Sequence, residues 1–424
     1  MINKTLDNVF KGDKAIWLVF FFLCIISIIE VYSASSQLTY HKNFLAPMVK
    51  HVFLLLWGAV FMVITVNIKC KYFKLMTMPL LVTSFVLLLL VFALGQATNG
   101  AQRWIPVLGM QFQPSEIAKG SLVLATAQIL SAMQTEHGAD RRAFKYILVL
   151  CAFIVPLIMV ENLSTAALLC AVIFMMMLIG RVPGKQLGTL FGICVSIVAL
   201  FFVAVMALGT DKNQQQNVQT YTAKEVQAPP QKEEGIGKVF HRFDTWKARI
   251  DKWMSNEELA PKDVDLDKDA QASHANIAIA TSNVVGKGFG KSEEREWLPQ
   301  AYSDFIYAII IEELGIEGAF FVALLYIILL VRVWRIANRC ENPFPAFLAM
   351  GLVLLLVTQA LFNMFVAVGI FPVTGQPLPL ISKGGTSSII NCIYLGVILS
   401  ISRSAKKKNE GGRRAKPEMS VSMA

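Results

Sequence analysis

Apolar residues fall along this chain in long unbroken runs, without the 2- or 3.6-residue alternation of a water-facing strand or helix. Ten such runs can be drawn, near residues 15–34, 49–68, 75–94, 115–133, 145–160, 163–180, 187–208, 305–333, 344–367 and 385–402. Most approach the ~20 residues with which a helix crosses a hydrocarbon core, so each is predicted to be a transmembrane helix. The fifth and sixth are short and meet at a tight turn around Glu161. One long hydrophilic stretch, 209–303, separates the seventh run from the eighth. Its first part, 211–234, holds too little apolar surface to offset ordering and is read as mobile. Val239, Phe240, Phe243, Trp246, Ile250 and Trp253 then recur at three- and four-residue steps. That spacing predicts an amphipathic helix, lying on the membrane or packed on neighbouring loops.

Composition sharpens this picture. Of the 424 residues, 55% are hydrophobic and only 16% charged, against roughly 25% charged in an ordinary soluble domain. A soluble protein is excluded. The net charge of +10 would suit a nucleic-acid partner if the cations were gathered on a soluble face, but they sit in alternate connections between runs. Lys4, Lys11 and Lys14 form the first cluster; Lys69, Lys71 and Lys74 the second; Arg141, Arg142 and Lys145 the third. Arg181 with Lys185, then Arg332, Arg335 and Arg339, and finally the tail continue the series. By the positive-inside rule these segments are cytoplasmic and both termini lie inside. Membrane lipid, anionic at the inner leaflet, is the expected partner of that charge, and no nucleic acid is called for.

The predicted organisation is a cytoplasmic N-terminus (1–14), spans one to seven (15–208), a long extracytoplasmic loop (209–303), spans eight to ten (304–402) and a basic cytoplasmic tail (403–424). The first run exceeds the ~7–15 residues of a signal-peptide core and is kept as a span. The seven cysteines avoid the long loop, so no disulfide framework is implied. Neither they nor the five histidines have zinc-site spacing.

Ionisable residues in or beside membrane spans are costly, which makes each a candidate for function. Glu116 and Lys119 lie three apart on one helix face, as a structural ion pair or a ligand-binding pair. Glu161 and Asn162 form a polar turn. Asp304 stands at the start of the eighth run, where it would serve as an N-cap or as a reactive carboxylate. Glu312 and Glu313 follow, with Gly315 and Gly318 positioned to interrupt that helix. Gly286, Gly288 and Gly290, with Lys287 and Lys291, lack the strand and lysine pattern of a nucleotide loop; they suit close approach of backbone to a ligand or the bilayer. Lys383, Gly384, Gly385, Thr386 and Ser387 open the last run, where a glycine pair before a helix can hold phosphate through its N–H groups, or Thr386 or Ser387 simply caps the helix. By the parity of the spans, Arg103, Glu116, Glu161, Asp304 and Lys383 all fall near one face, the outer one. Carboxylates and cations at head-group depth suit a lipid-linked phosphate substrate.

At these residues the sequence resembles the SEDS family of shape, elongation, division and sporulation glycosyltransferases. Asn99 to Lys119, NGAQRWIPVLGMQFQPSEIAK, is similar to the family's first outer-loop motif. Thr281 to Gly318, with GKGFGKS, LPQAYSDFIYA and EELG, resembles its catalytic block. Gln359 to Ser388, with QALFN and PLPLISKGGTSS, resembles its last outer-loop motif. VYSASS at 31–36 is more like the division branch than the elongation branch. There are departures. Asn162 replaces the family's aspartate, leaving Glu161 as the neighbouring carboxylate; Lys383 replaces a tyrosine; and in the segment Gln300 to Asp304 only the final aspartate is retained.

The resemblance implies an inverting peptidoglycan glycosyltransferase in the bacterial inner membrane, acting in cell division. It would transfer the growing glycan strand from its polyprenyl pyrophosphate carrier to the 4-hydroxyl of an incoming lipid II sugar. Asp304 is the expected base. Arg103, Lys119, Lys287 and Lys383 are the expected pyrophosphate-binding cations, Glu116 orients Lys119, and Glu161, Gly384, Gly385 and Ser387 complete the substrate site. A divalent cation held by Asp304 and Glu161 stays open. Implied partners are a class B penicillin-binding protein that crosslinks the strands and other divisome proteins. A lipid II flippase and a non-catalytic divisome scaffold are the alternatives; lipid II polymerised by purified protein would separate them from the enzyme.

Overall fold

The computed structural model describes residues 10–34, 46–94, 96–98, 101–107, 110–208, 270–298 and 301–414. The expected mobile segment and amphipathic helix at 211–253 lie outside the described residues. A helix occupies each of the ten apolar runs: α1 (Lys14–Ala34), α2 (Ala46–Asn67), then a short α3 (Cys70–Leu75), α4 (Thr77–Leu94), α5 (Pro114–Ala132), α6 (Arg141–Glu161), α7 (Leu163–Ile179) and α8 (Gly184–Leu208). After the long loop come a short α9 (Ala270–Thr281), then α10 (Ile306–Ala337), α11 (Pro343–Ala367) and α12 (Thr386–Arg414). Six of these meet the length and apolarity needed to cross a membrane: α1, α6, α10, α11 and most of α2 and α12. The run expected to be short before Glu161 is a full 21-residue helix, because it begins at the basic cluster Arg141–Arg142, before the apolar run proper.

Large apolar side chains face outward along the helices. Leu56 on α2 is 61% exposed, Met78 on α4 71%, Leu200 on α8 69% and Phe320 on α10 66%. An exposed apolar surface this continuous belongs in lipid, and the architecture is that of an all-α integral membrane protein. The core, mostly apolar, also holds polar side chains. α5 is enclosed along most of its length, burying Ser115, Glu116, Lys119, Ser121 and Thr126 beside its leucines and alanines. It packs against α4, α11, α6 and α7.

Local chemistry sets the helix boundaries. Pro114 opens α5, where its missing N–H costs nothing. Asp140 caps α6, its Oδ1 accepting from Arg142 N at 2.8 Å. Asn162 caps α7, its Oδ1 accepting from Ser164 N and Thr165 N at 3.1 and 3.4 Å. Between α4 and α5 a small antiparallel sheet forms from β1 (Gln96–Thr98), β2 (Ala101–Val107) and β3 (Met110–Phe112). It lies at the end of the bundle that also carries 283–298, 301–304 and 368–385, hereafter the loop end. The opposite, basic end is tied by Arg332 to Asp13 at 2.7 Å and Lys11 to Asn67 at 2.9 Å.

α10 is two helices. Gly315 has φ 69° and ψ −171°, a break of the sort expected from Gly315 and Gly318. The part beyond it, 316–337, is about 33 Å long, enough to cross a bilayer unaided. The first part, 306–314, is left to build the loop end.

Candidate active site

The break at Gly315 frees the carbonyls of Glu312 and Glu313, whose helical donors would be the N–H groups four residues on. The glycine loop fills them: Lys287 N donates to Glu312 O at 2.9 Å and Gly288 N to Glu313 O at 2.8 Å. This docking brings backbone against backbone. A Cβ on Gly286 would sit 2.4 Å from Glu313 O, and one on Gly315 would sit 2.1 Å from Val284 O. Both residues also hold φ near +70 to +80°, a region costly for any other residue. At Gly286, then, the backbone closeness expected for a ligand is spent on the protein itself.

Both carboxylates below the loop are fully buried and bound by it. Glu312 Oε1 accepts from Lys287 Nζ at 2.9 Å and Glu293 N at 3.0 Å, and its Oε2 from Ser292 Oγ at 2.5 Å. Glu313 Oε2 accepts from Gly290 N at 2.9 Å, and Oε1 from Ser292 N at 3.3 Å and from Ser33 Oγ of α1. Lys287 is further paired with Glu293 at 3.0 Å. Its charge is therefore met by two carboxylates.

Asp304 is held differently. The helix N-cap is Phe305 and no side chain caps it, so Asp304 does not cap α10. It is partly exposed, with Ser303 Oγ donating to its Oδ1 at 2.9 Å. Its backbone is what the fold fixes. Three successive carbonyls are taken: Tyr302 O by Lys383 N at 3.0 Å, Ser303 O by Ser382 Oγ at 2.5 Å and Asp304 O by Asn363 Nδ2 at 2.8 Å. Beneath them Leu298, Ala301, Phe305, Ala308 and Ile309 pack with Ala34 and Ala275 in a small separate apolar cluster.

The segment after α11 is fastened in turn. Asn363 Nδ2 also reaches Gln376 O at 2.7 Å, Gln376 Nε2 donates to Thr165 Oγ1 of α7 at 2.6 Å, and Gln359 Nε2 to Pro377 O at 3.0 Å. Lys383 thereby lies over the Tyr302 ring, 4.8 Å from its centroid. Partial burial, and then repulsion from Lys50, lower its pKa below the usual lysine value. Ser387 turns back, its hydroxyl donating to Gly384 O at 2.6 Å, while Thr386 Oγ1 donates to Gln111 O of β3 at 3.1 Å. That last bond ties the glycine pair Gly384–Gly385 to the sheet whose β2 strand carries Arg103.

The structure thus gathers Asp304, Lys383, Gly384, Gly385 and Ser387 at one place. Glu116 and Lys119 lie deeper, both buried, paired at 2.8 Å, with Lys119 Nζ also donating to Gln359 Oε1 at 2.9 Å. Their contacts are those of the structural pair, bracing α5 on α11. Glu161 is buried at the end of α6, while its neighbour Asn162 serves as the α7 cap. Among the described residues no group of three or more His, Cys, Asp or Glu side chains is placed to hold a metal ion.

Over residues 13–235 and 236–407 the chain matches the FtsW/RodA/SpoVE family of cell cycle proteins. It belongs to that family. It is 31% identical over 411 residues to "Probable peptidoglycan glycosyltransferase FtsW" of Hahella chejuensis, covering 92% of each chain. Identity to the protein of the same name from Geobacter metallireducens is 28%, covering 95% of this chain and 97% of that one. With "Peptidoglycan glycosyltransferase MrdB" of Escherichia coli it is 27%, covering 94% and 95%. The fold is shared with a solved chain described under "Structural coordination of polymerization and crosslinking by a peptidoglycan synthase complex", at TM-score 0.65 and 23% identity, covering 93% and 98%. It is shared too with the rod shape determining protein RodA of Thermus thermophilus, at TM-score 0.62 and 21% identity, covering 94% and 98%.

Within this FtsW/RodA/SpoVE member, several supporting residues escape a reading of single motifs. Asn363, Gln376 and Ser382 are uncharged, and nothing in their spacing announces a bond to residue 303 or 304. Glu30 was more legible, as the one charged residue in the apolar run 15–34. It is fully buried on α1, three residues before the Ser33 that binds Glu313. Ser27, one turn earlier, donates to Ile381 O at 2.6 Å and contacts His51 Nε2 of α2 at 2.7 Å, so α1 reaches the Lys383 segment as well.

Proposed function

We propose that this protein polymerises peptidoglycan glycan strands from lipid II, with Asp304 as the general base. The observation that carries the assignment is the fastening of carbonyls 302, 303 and 304 by Lys383, Ser382 and Asn363. It fixes the backbone under one partly exposed carboxylate and leaves that side chain at the surface of the site. Asp304 takes the proton from the 4-hydroxyl of the acceptor sugar, the freed oxygen attacks the anomeric carbon of the donor strand, and the polyprenyl pyrophosphate departs with its bonding electrons. A positioned base contributes roughly 10²- to 10⁴-fold. Lys383, beside the glycine pair at the start of α12, is the cation best set to receive the diphosphate, with Arg103 on the adjoining sheet as a second. Lys287 and Lys119, already engaged by carboxylates, act in support of the site.

Relatives named as peptidoglycan glycosyltransferases along nearly their whole length support the activity, and the FtsW names support a role in division. The loop end is then periplasmic and both termini are cytoplasmic, in agreement with the basic clusters. A class B penicillin-binding protein is the proposed partner, supported by a structural neighbour described as part of a synthase complex that couples polymerization to crosslinking. The test is polymerisation of lipid II by the purified protein in detergent. Wild type should yield glycan polymer on a gel and Asp304→Asn none, with equal thermal stability. Full activity in Asp304→Asn would overturn the assignment.

A further inference from the structure

At the basic end, remote from the site above, α6 and α8 flank an open groove of about 290 Å³. Phe144 and Leu148 of α6 face Leu190 and Ile193 of α8 across it, with Lys185, Gln186 and Thr189 toward its mouth. From Lys185 to Ile193 the groove follows roughly 12 Å of helix, running from the basic end into the apolar zone. Ile193 is 51% exposed, so the groove opens sideways to the membrane.

The mouth is strongly cationic. Ala139 N donates to Gly180 O and Arg181 O, each at 3.2 Å, and Gln186 Nε2 reaches Arg141 O at 3.4 Å. These contacts bring Arg141, Arg142 and Lys145 on one segment beside Arg181 and Lys185 on the other. All five are exposed. Among the described residues none of them forms an ion pair; the nearby carboxylates are the exposed Glu136 and Asp140, and Asp140 is occupied as the α6 cap.

We propose that this groove binds an anionic phospholipid, its acyl chain between α6 and α8 and its phosphate at Lys185. The apolar walls, Phe144, Leu148, Leu190 and Ile193, suit an acyl chain, and Lys185 beside them suits its phosphate. The charge supplies the selectivity, because an apolar groove in a bilayer gains little from one lipid tail over another, whereas each nearby cation favours an anionic head group. The inference is independent of the chemistry at the loop end.

Native mass spectrometry of the full chain, released from mixed phosphatidylglycerol and phosphatidylcholine, tests it. Wild type should retain phosphatidylglycerol preferentially. Lys185→Gln, at an exposed position that leaves the core intact, should lower that preference roughly fivefold. Leu190→Trp, which fills the groove, should lower retention of both lipids, and Lys11→Gln, at the same end but away from the groove, should change neither. Equal retention of the two lipids by wild type would overturn the proposal. So would a preference that survives Lys185→Gln, or one that falls as far with Lys11→Gln, since either marks a general surface charge effect. Phosphatidylglycerol retention unchanged in Leu190→Trp would remove the chain from the groove.

Discussion

Two carboxylate positions at the loop end, Asp304 and the pair Glu312–Glu313 eight and nine residues later, are used in opposite ways. Glu312 and Glu313 are buried, and their oxygens take N–H, hydroxyl and ammonium donors from the glycine loop and α1. At Asp304 the backbone carbonyl is what the fold grips, and the carboxylate stays partly exposed. A carboxylate used as an anchor is satisfied and shielded, so it has no capacity left for a proton from substrate. A carboxylate whose backbone is the anchor can be fixed in place and still react.

The comparison can be broken most decisively at Asp304. Asp304→Asn should cost roughly 10²- to 10⁴-fold in lipid II polymerisation with little change in melting temperature; loss of stability with retained activity would reverse the two roles. Next comes Glu313→Gln, which turns amide hydrogens toward the N–H of Gly290 or Ser292. It should cost about 3 kcal/mol of stability, read as a lowered melting temperature in detergent, with activity per folded molecule falling less than for Asp304→Asn.

Asn363→Ala removes the donor beneath Asp304 without touching its carboxylate. Polymerisation should show kcat down roughly tenfold, as expected for a misplaced base, with KM little changed; a KM effect alone would place Asn363 in substrate binding. The smallest effect concerns Lys383. Its lowered pKa means that the ammonium loses its charge at a lower pH than an ordinary lysine. Substrate affinity should therefore weaken on the alkaline side earlier than for a normal lysine. Lys50→Gln, by removing a repelling charge, should move that limb to higher pH, and Lys383→Arg should move it further. A limb unmoved by both would detach Lys383 from the substrate.

Much of the molecule was legible beforehand because lipid imposes a simple rule: a buried backbone must be helical and a lipid-facing surface apolar. The apolar runs therefore announced each long helix, Gly315 announced the break in α10, and Glu116 with Lys119 announced a pair through helical spacing alone. Motif blocks brought Asp304, Lys383 and the glycine pair forward as one group. The uses of the polar residues were decided elsewhere. Whether Lys287 was paired depended on Glu312 and Glu293, and the placing of the backbone at Ser303 and Asp304 depended on Ser382 and Asn363, 79 and 59 residues away. Hydropathy is a property of each segment in its solvent, so the chain by itself determined which segments form the apolar helices of a membrane protein. Hydrogen bonds join groups from different segments, and only the packed helices could decide which charges are consumed in holding the protein together and which remain to act.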